Sequence, residues 1–140
     1  MGKKNNIRSR SRGFLKRKGA ATVELAVCLP VIVILAIGSM ESASMIFLRQ
    51  ALIQSAYETC KESVKARGDQ NLAITRGQQA LAFRGIQGES ITFNPPDVST
   101  LTRGTPVTVT VSAPGDSNSV LPFGPFRGRN ISATATMLKE

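Results

Sequence analysis

The chain has 140 residues, which is enough for one small domain and an additional segment. It carries 18 basic and 9 acidic residues, but eight of the basic ones fall within residues 1–18, where there is no acid. The remainder of the chain is nearly neutral, which excludes a uniformly basic folded domain. A basic tail of this kind serves nucleic-acid binding, attraction to anionic lipid or membrane topology. The absence of histidine also excludes a cysteine nucleophile activated by histidine.

An apolar run follows the basic tail. Residues 20–40 contain a single ionisable side chain, Glu24, and a helix of this length spans about 31 Å, close to a hydrocarbon core of about 30 Å. We interpret Pro30 and Gly38 as helix-packing features, since a membrane helix tolerates proline at the expense of a kink. The pattern predicts a transmembrane helix, and the preceding positive charge places the N-terminus in the cytoplasm.

The helical pattern does not end with the apolar run. Apolar residues continue at steps of mostly three and four, at Met45, Leu48, Leu52, Ile53, Ala56, Cys60 and Val64. This spacing predicts an amphipathic continuation over residues 41–68, ending near Gly68 as a C-cap. We expect one helix of roughly 45 residues in all, with Glu41 on its solvated face.

Residues 69–140 are predicted to form a small extracytoplasmic domain. The segment LAITRGQQALAF, capped by Asp69 or Asn71, indicates a short second helix. In TPVTVTVSA the valines alternate with threonine and serine, which is typical of a half-buried strand. We expect an α+β fold in which a small antiparallel sheet packs on the helices, with three strands at Ser90–Asn94, Thr105–Ala113 and Asn130–Leu138.

Neither cysteine suggests chemistry. On one helix, Cys28 and Cys60 would lie roughly 48 Å apart, whereas a disulfide needs Cα atoms within about 7 Å. The sequence contains no metal-ligand cluster, nucleophile–base pair or phosphate loop, so we expect neither an enzyme nor a cofactor.

The junction between tail and apolar run carries the functional signal. It reads KRKGAATVEL, with Gly19 ending the basic stretch and Glu24 at the fifth position after it. This arrangement resembles the type IV prepilin signal. The resemblance implies that a membrane-embedded aspartic peptidase cuts after Gly19, making Ala20 the mature N-terminus, which it usually also methylates. A carboxylate one turn into a membrane helix should have a partner, and the resemblance implies the α-amine of Ala20, in the same or the next subunit.

Longer segments resemble one branch of this group. GAATVELAVCLPVIVILAIG and FLRQALIQSAYETCKESVKARG are similar to the TadE-type pseudopilins of tight-adherence (Tad/Flp) pilus systems. VTVTVSAP and ISATATMLKE are more loosely similar to the β-part of TadE/TadG-like proteins. Two departures from the family pattern are Leu25, where the family usually has phenylalanine after the glutamate, and the lack of a tyrosine following it.

This resemblance implies a minor pilin or assembly component, not a major fibre subunit. It would be a single-pass protein of the bacterial inner membrane with a cytoplasmic N-terminus and an extracytoplasmic C-terminus, and it could enter an extracellular pilus. Its implied partners are membrane lipid, a prepilin peptidase, other pilin or pseudopilin subunits and the pilus assembly machinery. Neither nucleic acid nor a small-molecule substrate is expected.

Three alternatives remain open on the sequence. The first is an uncleaved signal anchor whose outer domain binds another envelope component, which would make the chain an adaptor. The second is a secretory signal peptide with an apolar core at Leu25–Gly38 and cleavage near Ser42. The third is nucleic-acid binding by the RSRSRG tail, which the immediately following apolar span disfavours.

Overall fold

A computed structural model describes the backbone of residues 10–66, 68–121 and 128–140, and the side chains of these ranges from Gly19 onward. The first nine residues of the leader predicted at residues 1–19, Arg67 at the predicted helix end and most of the proline- and glycine-rich loop lie outside the described residues. The described elements are α1 (Arg10–Ser63), α2 (Gln70–Ala82), β1 (Ser90–Asn94), β2 (Pro106–Pro114), α3 (Gly115–Asn118) and β3 (Asn130–Leu138). The chain divides into two compact units, Met1–Ser39 and Met40–Glu140. The predicted α+β fold is confirmed.

Helix α1 is continuous and contains 54 residues, including the predicted stretch of membrane and amphipathic helix. It begins at Arg10, whereas we predicted that the helix begins just after Gly19. A glycine inside a helix costs only about 1 kcal/mol relative to alanine, so Gly19 does not stop the helix from extending into the basic stretch.

The C-terminal end of α1 also differs from the prediction. The helix ends at Ser63, five residues before the predicted cap at Gly68. The Nζ atom of Lys139, which is buried, donates to the carbonyl oxygens of Ser63 and Lys65, both at 2.9 Å. A cation favours a helix C-terminus, where carbonyl groups lack helical partners. Lys139 therefore caps the helix together with Gly68, whose N–H donates to the carbonyl of Lys65 at 2.8 Å. A Cβ atom added to Gly68 would come to 2.6 Å from the carbonyl oxygen of Ser63.

The three strands form one antiparallel sheet in the order β1-β2-β3. Val107, Val109 and Val111 of the central strand β2 are completely buried, as their alternation predicts. Hydroxyl side chains line the opposite face, and the Oγ1 atoms of Thr108 and Thr136 lie 2.9 Å apart across β2 and β3. The predicted sheet and the inward direction of its valines are confirmed.

Helix α2 packs closely on α1 within the second unit. Its N-cap is Asp69, whose side chain accepts a hydrogen bond from the backbone of Asn71, which decides between the two predicted caps. Ser55 of α1 donates to the carbonyl of Gly77 at 2.9 Å. A Cβ atom on Gly77 would come to 2.0 Å from Oγ1 of Thr59. Only glycine allows this close approach of the two backbones.

The core of the second unit lies between the C-terminal half of α1, α2 and the inner face of the sheet. Completely or almost completely buried side chains from α1 make up much of it: Met45, Leu48, Ala51, Leu52, Ala56 and Cys60. This confirms that the C-terminal half of the long helix completes a core that the following residues alone would leave marginal.

Candidate processing and assembly site

The two residues of the predicted cleavage junction lie in α1. Gly19 and Ala20 both have helical backbones and are exposed. A Cβ atom added to Gly19 would meet no other atom within 4 Å. Packing within the described part of this chain therefore does not require a glycine at position 19, so its presence calls for another explanation.

Glu24 lies on the same helix, four residues after Ala20, and is exposed. Residues four apart on a helix lie on one face, with their Cβ atoms about 6 Å apart. Because helical side chains tilt toward the helix N-terminus, the carboxylate of Glu24 is directed back toward Ala20. The spacing thus suits a pair between this carboxylate and an amine at Ala20.

Pro30 and Gly38 are also exposed on α1. Pro30 has no N–H group, so it cannot donate to the carbonyl of Ala26 in the helical ladder, although the helix continues through it. A Cβ atom added to Gly38 would meet no other atom within 4 Å. Their predicted role in helix packing therefore concerns surfaces that this chain leaves accessible.

The surrounding helix surface is apolar on every side. All residues from 19 to 40 are exposed, and they include eleven large apolar side chains. Moving each such side chain from water into apolar surroundings stabilises by about 1.5–3 kcal/mol. Within the described residues this is the one helix long and apolar enough to cross a membrane. These properties indicate a bilayer as its surroundings.

Glu41 corrects one of our predictions. We expected it on a solvated helix face, yet its side chain is only 1% exposed. Its Oε1 atom accepts a hydrogen bond from the hydroxyl of Ser119 at 2.5 Å, and its Oε2 atom accepts from the backbone N–H of Leu121 at 3.2 Å. The sequence did contain a signal for this burial, since Glu41 lies four residues before Met45 on the same buried stripe of α1.

The two cysteines are free thiols in different surroundings. Cys28 is exposed in the apolar segment, and Cys60 is completely buried in the second unit. The Sγ atom of Cys60 lies 3.5 Å from the carbonyl oxygen of Val107, to which it donates. This confirms that they do not form a disulfide and that Cys60 belongs to the core.

Comparison with known families and proteins gives one match. A family model described as TadE-like protein matches residues 19–60. No curated protein and no solved structure matches the chain. The match starts at Gly19 and covers the junction, the apolar segment and most of the buried stripe of α1, while the three strands lie outside it. Residues 19–60 are therefore similar to the TadE-like family, which confirms the resemblance seen in this part of the sequence.

Proposed function

We propose that this chain is a prepilin-like minor pilin or assembly component of a Tad-type pilus. It is held in the bacterial inner membrane with its N-terminus in the cytoplasm and its second unit outside. The observation that carries the proposal is a coincidence at one point of α1. The Gly19–Ala20 junction, the apolar surface with Glu24 near its start and the TadE-like match all start there.

Cleavage after Gly19 explains the presence of a glycine that packing within the described residues does not require. A peptidase binds its substrate in an extended form, so the helical backbone around the junction must unwind before it is cut. Glycine in a helix interior lowers helix stability by about 1 kcal/mol relative to alanine, and the missing side chain lets the backbone approach a tight site. Both properties favour cutting at this residue over its neighbours.

Cleavage also changes the position of Glu24 within the helix. In the uncut chain Glu24 lies inside α1, fourteen residues after Arg10. In the cut chain the helix starts at Ala20, so Glu24 lies one turn from a free α-amine and from the positive end of the helix dipole. A carboxylate in a membrane is costly without such a partner, so processing creates the stabilising pair.

The apolar segment then supplies contacts to lipid and to other subunits. In a bilayer, helices associate through packing of small residues, and Ala20, Ala21, Ala26, Ala36 and Gly38 are small residues of this segment. Exposure along the whole segment leaves these positions accessible to the helices of other pilin subunits. The role proposed is structural, and we assign no catalytic activity to the chain.

The N-terminus of the protein recovered from membranes tests this proposal. We expect the full chain, expressed in a strain with an active prepilin peptidase, to yield a protein that begins at Ala20 by mass spectrometry. A protein that still carries residues 1–19 would contradict cleavage and support the uncleaved adaptor. A start near Ser44 would indicate a secreted protein instead.

A pair of glycine variants makes the test specific. Gly19→Leu should leave the full-length chain in the membrane, because the bulky side chain blocks the cut site. Gly38→Leu is the matched control, since it makes the same change on the same helix and an added Cβ also finds open space there. It should be cut normally, and equal loss of cleavage in both variants would overturn the assignment of Gly19.

A further inference from the structure

A groove of about 540 Å³ opens on the second unit beside the first turns of α1 after the apolar segment. Met45, Ile46 and Ile131 form its apolar walls, and Arg49 and Arg129 bring two guanidinium groups to it. Among the residues that the structure describes, no acidic side chain lines it. The groove therefore combines an apolar wall with an unbalanced positive charge, which fits an amphipathic anion.

The α1 side of the groove is a single helix face. Ser42, Met45, Ile46 and Arg49 follow the spacing i, i+3, i+4 and i+7, so they form a strip about 10 Å long. Ser42 lies two residues after Met40, the end of the apolar segment. The strip thus starts at the edge of the membrane and leads outward.

The depth of Arg49 suits the polar headgroups of a bilayer. Its Cα atom lies about 13 Å beyond that of Met40 along the helix, at 1.5 Å per residue. The headgroup region extends roughly 5–8 Å beyond the hydrocarbon core. Helical side chains lean toward the helix N-terminus, so the extended arginine reaches roughly 6 Å back toward the membrane and brings its charge to this level.

Neither arginine is neutralised by a neighbour. Among the described residues the structure shows one side-chain ion pair, between Lys65 and Glu62, and no carboxylate contacts Arg49 or Arg129. Both side chains are exposed, and so is Ile46, at 58%. An exposed isoleucine between the membrane edge and a free guanidinium group is the arrangement that an acyl chain and its headgroup would cover together.

We propose that this groove binds one anionic phospholipid. The headgroup phosphate accepts hydrogen bonds from Arg49 and Arg129, since guanidinium groups match phosphate oxygens in geometry and charge. The upper part of an acyl chain lies along Met45, Ile46 and Ile131 and continues into the bilayer. The inference depends on the membrane helix alone, so it stands whether or not the chain is cleaved or enters a pilus.

Native mass spectrometry of the full chain tests this directly. The protein is reconstituted in nanodiscs with equal phosphatidylglycerol and phosphatidylcholine, released into mild detergent, and the lipids that stay bound are counted. Each arginine near an anionic lipid contributes about 1 kcal/mol, so the two together correspond to roughly a thirtyfold preference for the anionic lipid. We expect the wild-type protein to retain one phosphatidylglycerol. Equal retention of the two lipids would overturn the proposal.

Matched double variants separate this groove from general charge effects. Arg49→Gln with Arg129→Gln should lose the preference, whereas Arg76→Gln with Arg103→Gln removes the same charge from other exposed positions and should keep it. Equal loss in both double variants would contradict a specific site. Crosslinking the unmutated protein with a photoactivatable phosphatidylglycerol provides a measurement that needs no variant, and it should label residues 42–49. Labelling confined to residues 20–40 would contradict the groove.

Discussion

Helix α1 contributes to two regions that keep apolar side chains from water in different ways. Between residues 20 and 40 its large apolar side chains are exposed on every side, as with Leu35 at 68%. Between residues 45 and 60 one face of the helix is buried, as with Leu52 at 0%, while other apolar side chains such as Ile46 and Phe47 stay exposed. The presence of a buried face at helical spacing tells the core-facing segment from the membrane-facing one.

The same difference applies to individual residue types. Each region contains a leucine, a glutamate and a glycine that can be compared in pairs. The pairs, with the residue of the apolar segment first, are Leu35 and Leu52, Glu24 and Glu41, and Gly38 and Gly77. In the apolar segment all three are exposed, so their roles require lipid or another chain. In the second unit all three are buried and act on the stability of that unit. Substitutions in matched pairs therefore test whether the two regions differ in this way.

The leucine pair should show the largest effect. Leu52→Ala removes a completely buried side chain and should lower the free energy of unfolding of the second unit by about 2–5 kcal/mol. Leu35→Ala, the same change on the same helix, should leave this free energy unchanged. Hydrogen exchange of the β2 amides in the full chain in detergent micelles reports the opening of the second unit. Similar losses of protection in both variants would show that the two regions unfold together.

The glutamate pair should separate stability from assembly. Glu41→Ala removes the carboxylate that accepts from the Ser119 hydroxyl and the Leu121 N–H, so these groups keep only their hydrogen bonds to each other, and the loss should cost about 1–3 kcal/mol. Glu24→Ala should leave the second unit as stable as before, because Glu24 lies outside it. It should still be cut after Gly19 yet assemble poorly, because the new amine of Ala20 has lost its partner.

Hydrogen exchange and recovery of the protein in sheared pili measure the two effects separately. Glu58→Gln is a suitable control, since Glu58 is a partly exposed acid further along the same helix. It should change neither readout. Normal pilus incorporation of Glu24→Ala would remove Glu24 from the proposed mechanism, and unchanged protection in Glu41→Ala would remove the buried contact.

Local patterns predicted most of this fold, and the failures share one cause. The alternation of valines gave β2 and its inward face, and the apolar steps gave α1, because each depends on near neighbours. The burial of Glu41 depends on Ser119, 78 positions away, and the end of α1 at Ser63 depends on Lys139, 76 positions away. No local pattern reports which distant polar group will satisfy a helix end or a buried carboxylate.

The candidate site was predicted by a different kind of signal. Gly19, Ala20 and Glu24 were recognised by their register, since exposed positions make no contact that periodicity could reveal. The TadE-like match over residues 19–60 includes all three positions and leaves their roles as predictions. The groove with Arg49 and Arg129 could not be predicted in this way, because Arg129, directly before β3, lies 80 residues further along the chain.

The glycine pair should give the smallest effect and the finest test. Gly77→Ala gains about 1 kcal/mol of helix propensity but places a methyl group 2.0 Å from Oγ1 of Thr59, which should cost more than it gains. We expect a net loss of about 1–2 kcal/mol in the free energy of unfolding of the second unit. Gly38→Ala makes the same change where an added Cβ meets nothing within 4 Å, so it should leave that free energy unchanged.

A second substitution identifies the cause of this loss. The Oγ1 atom of Thr59 is buried and has no hydrogen-bond partner among the described residues, so Thr59→Ala removes an unsatisfied group and the clashing atom together. Combined with Gly77→Ala, it should restore most of the lost protection in hydrogen exchange, a non-additive result that only residues in contact produce. If the two changes simply add, the close approach of α1 and α2 at Gly77 is not what makes glycine necessary there.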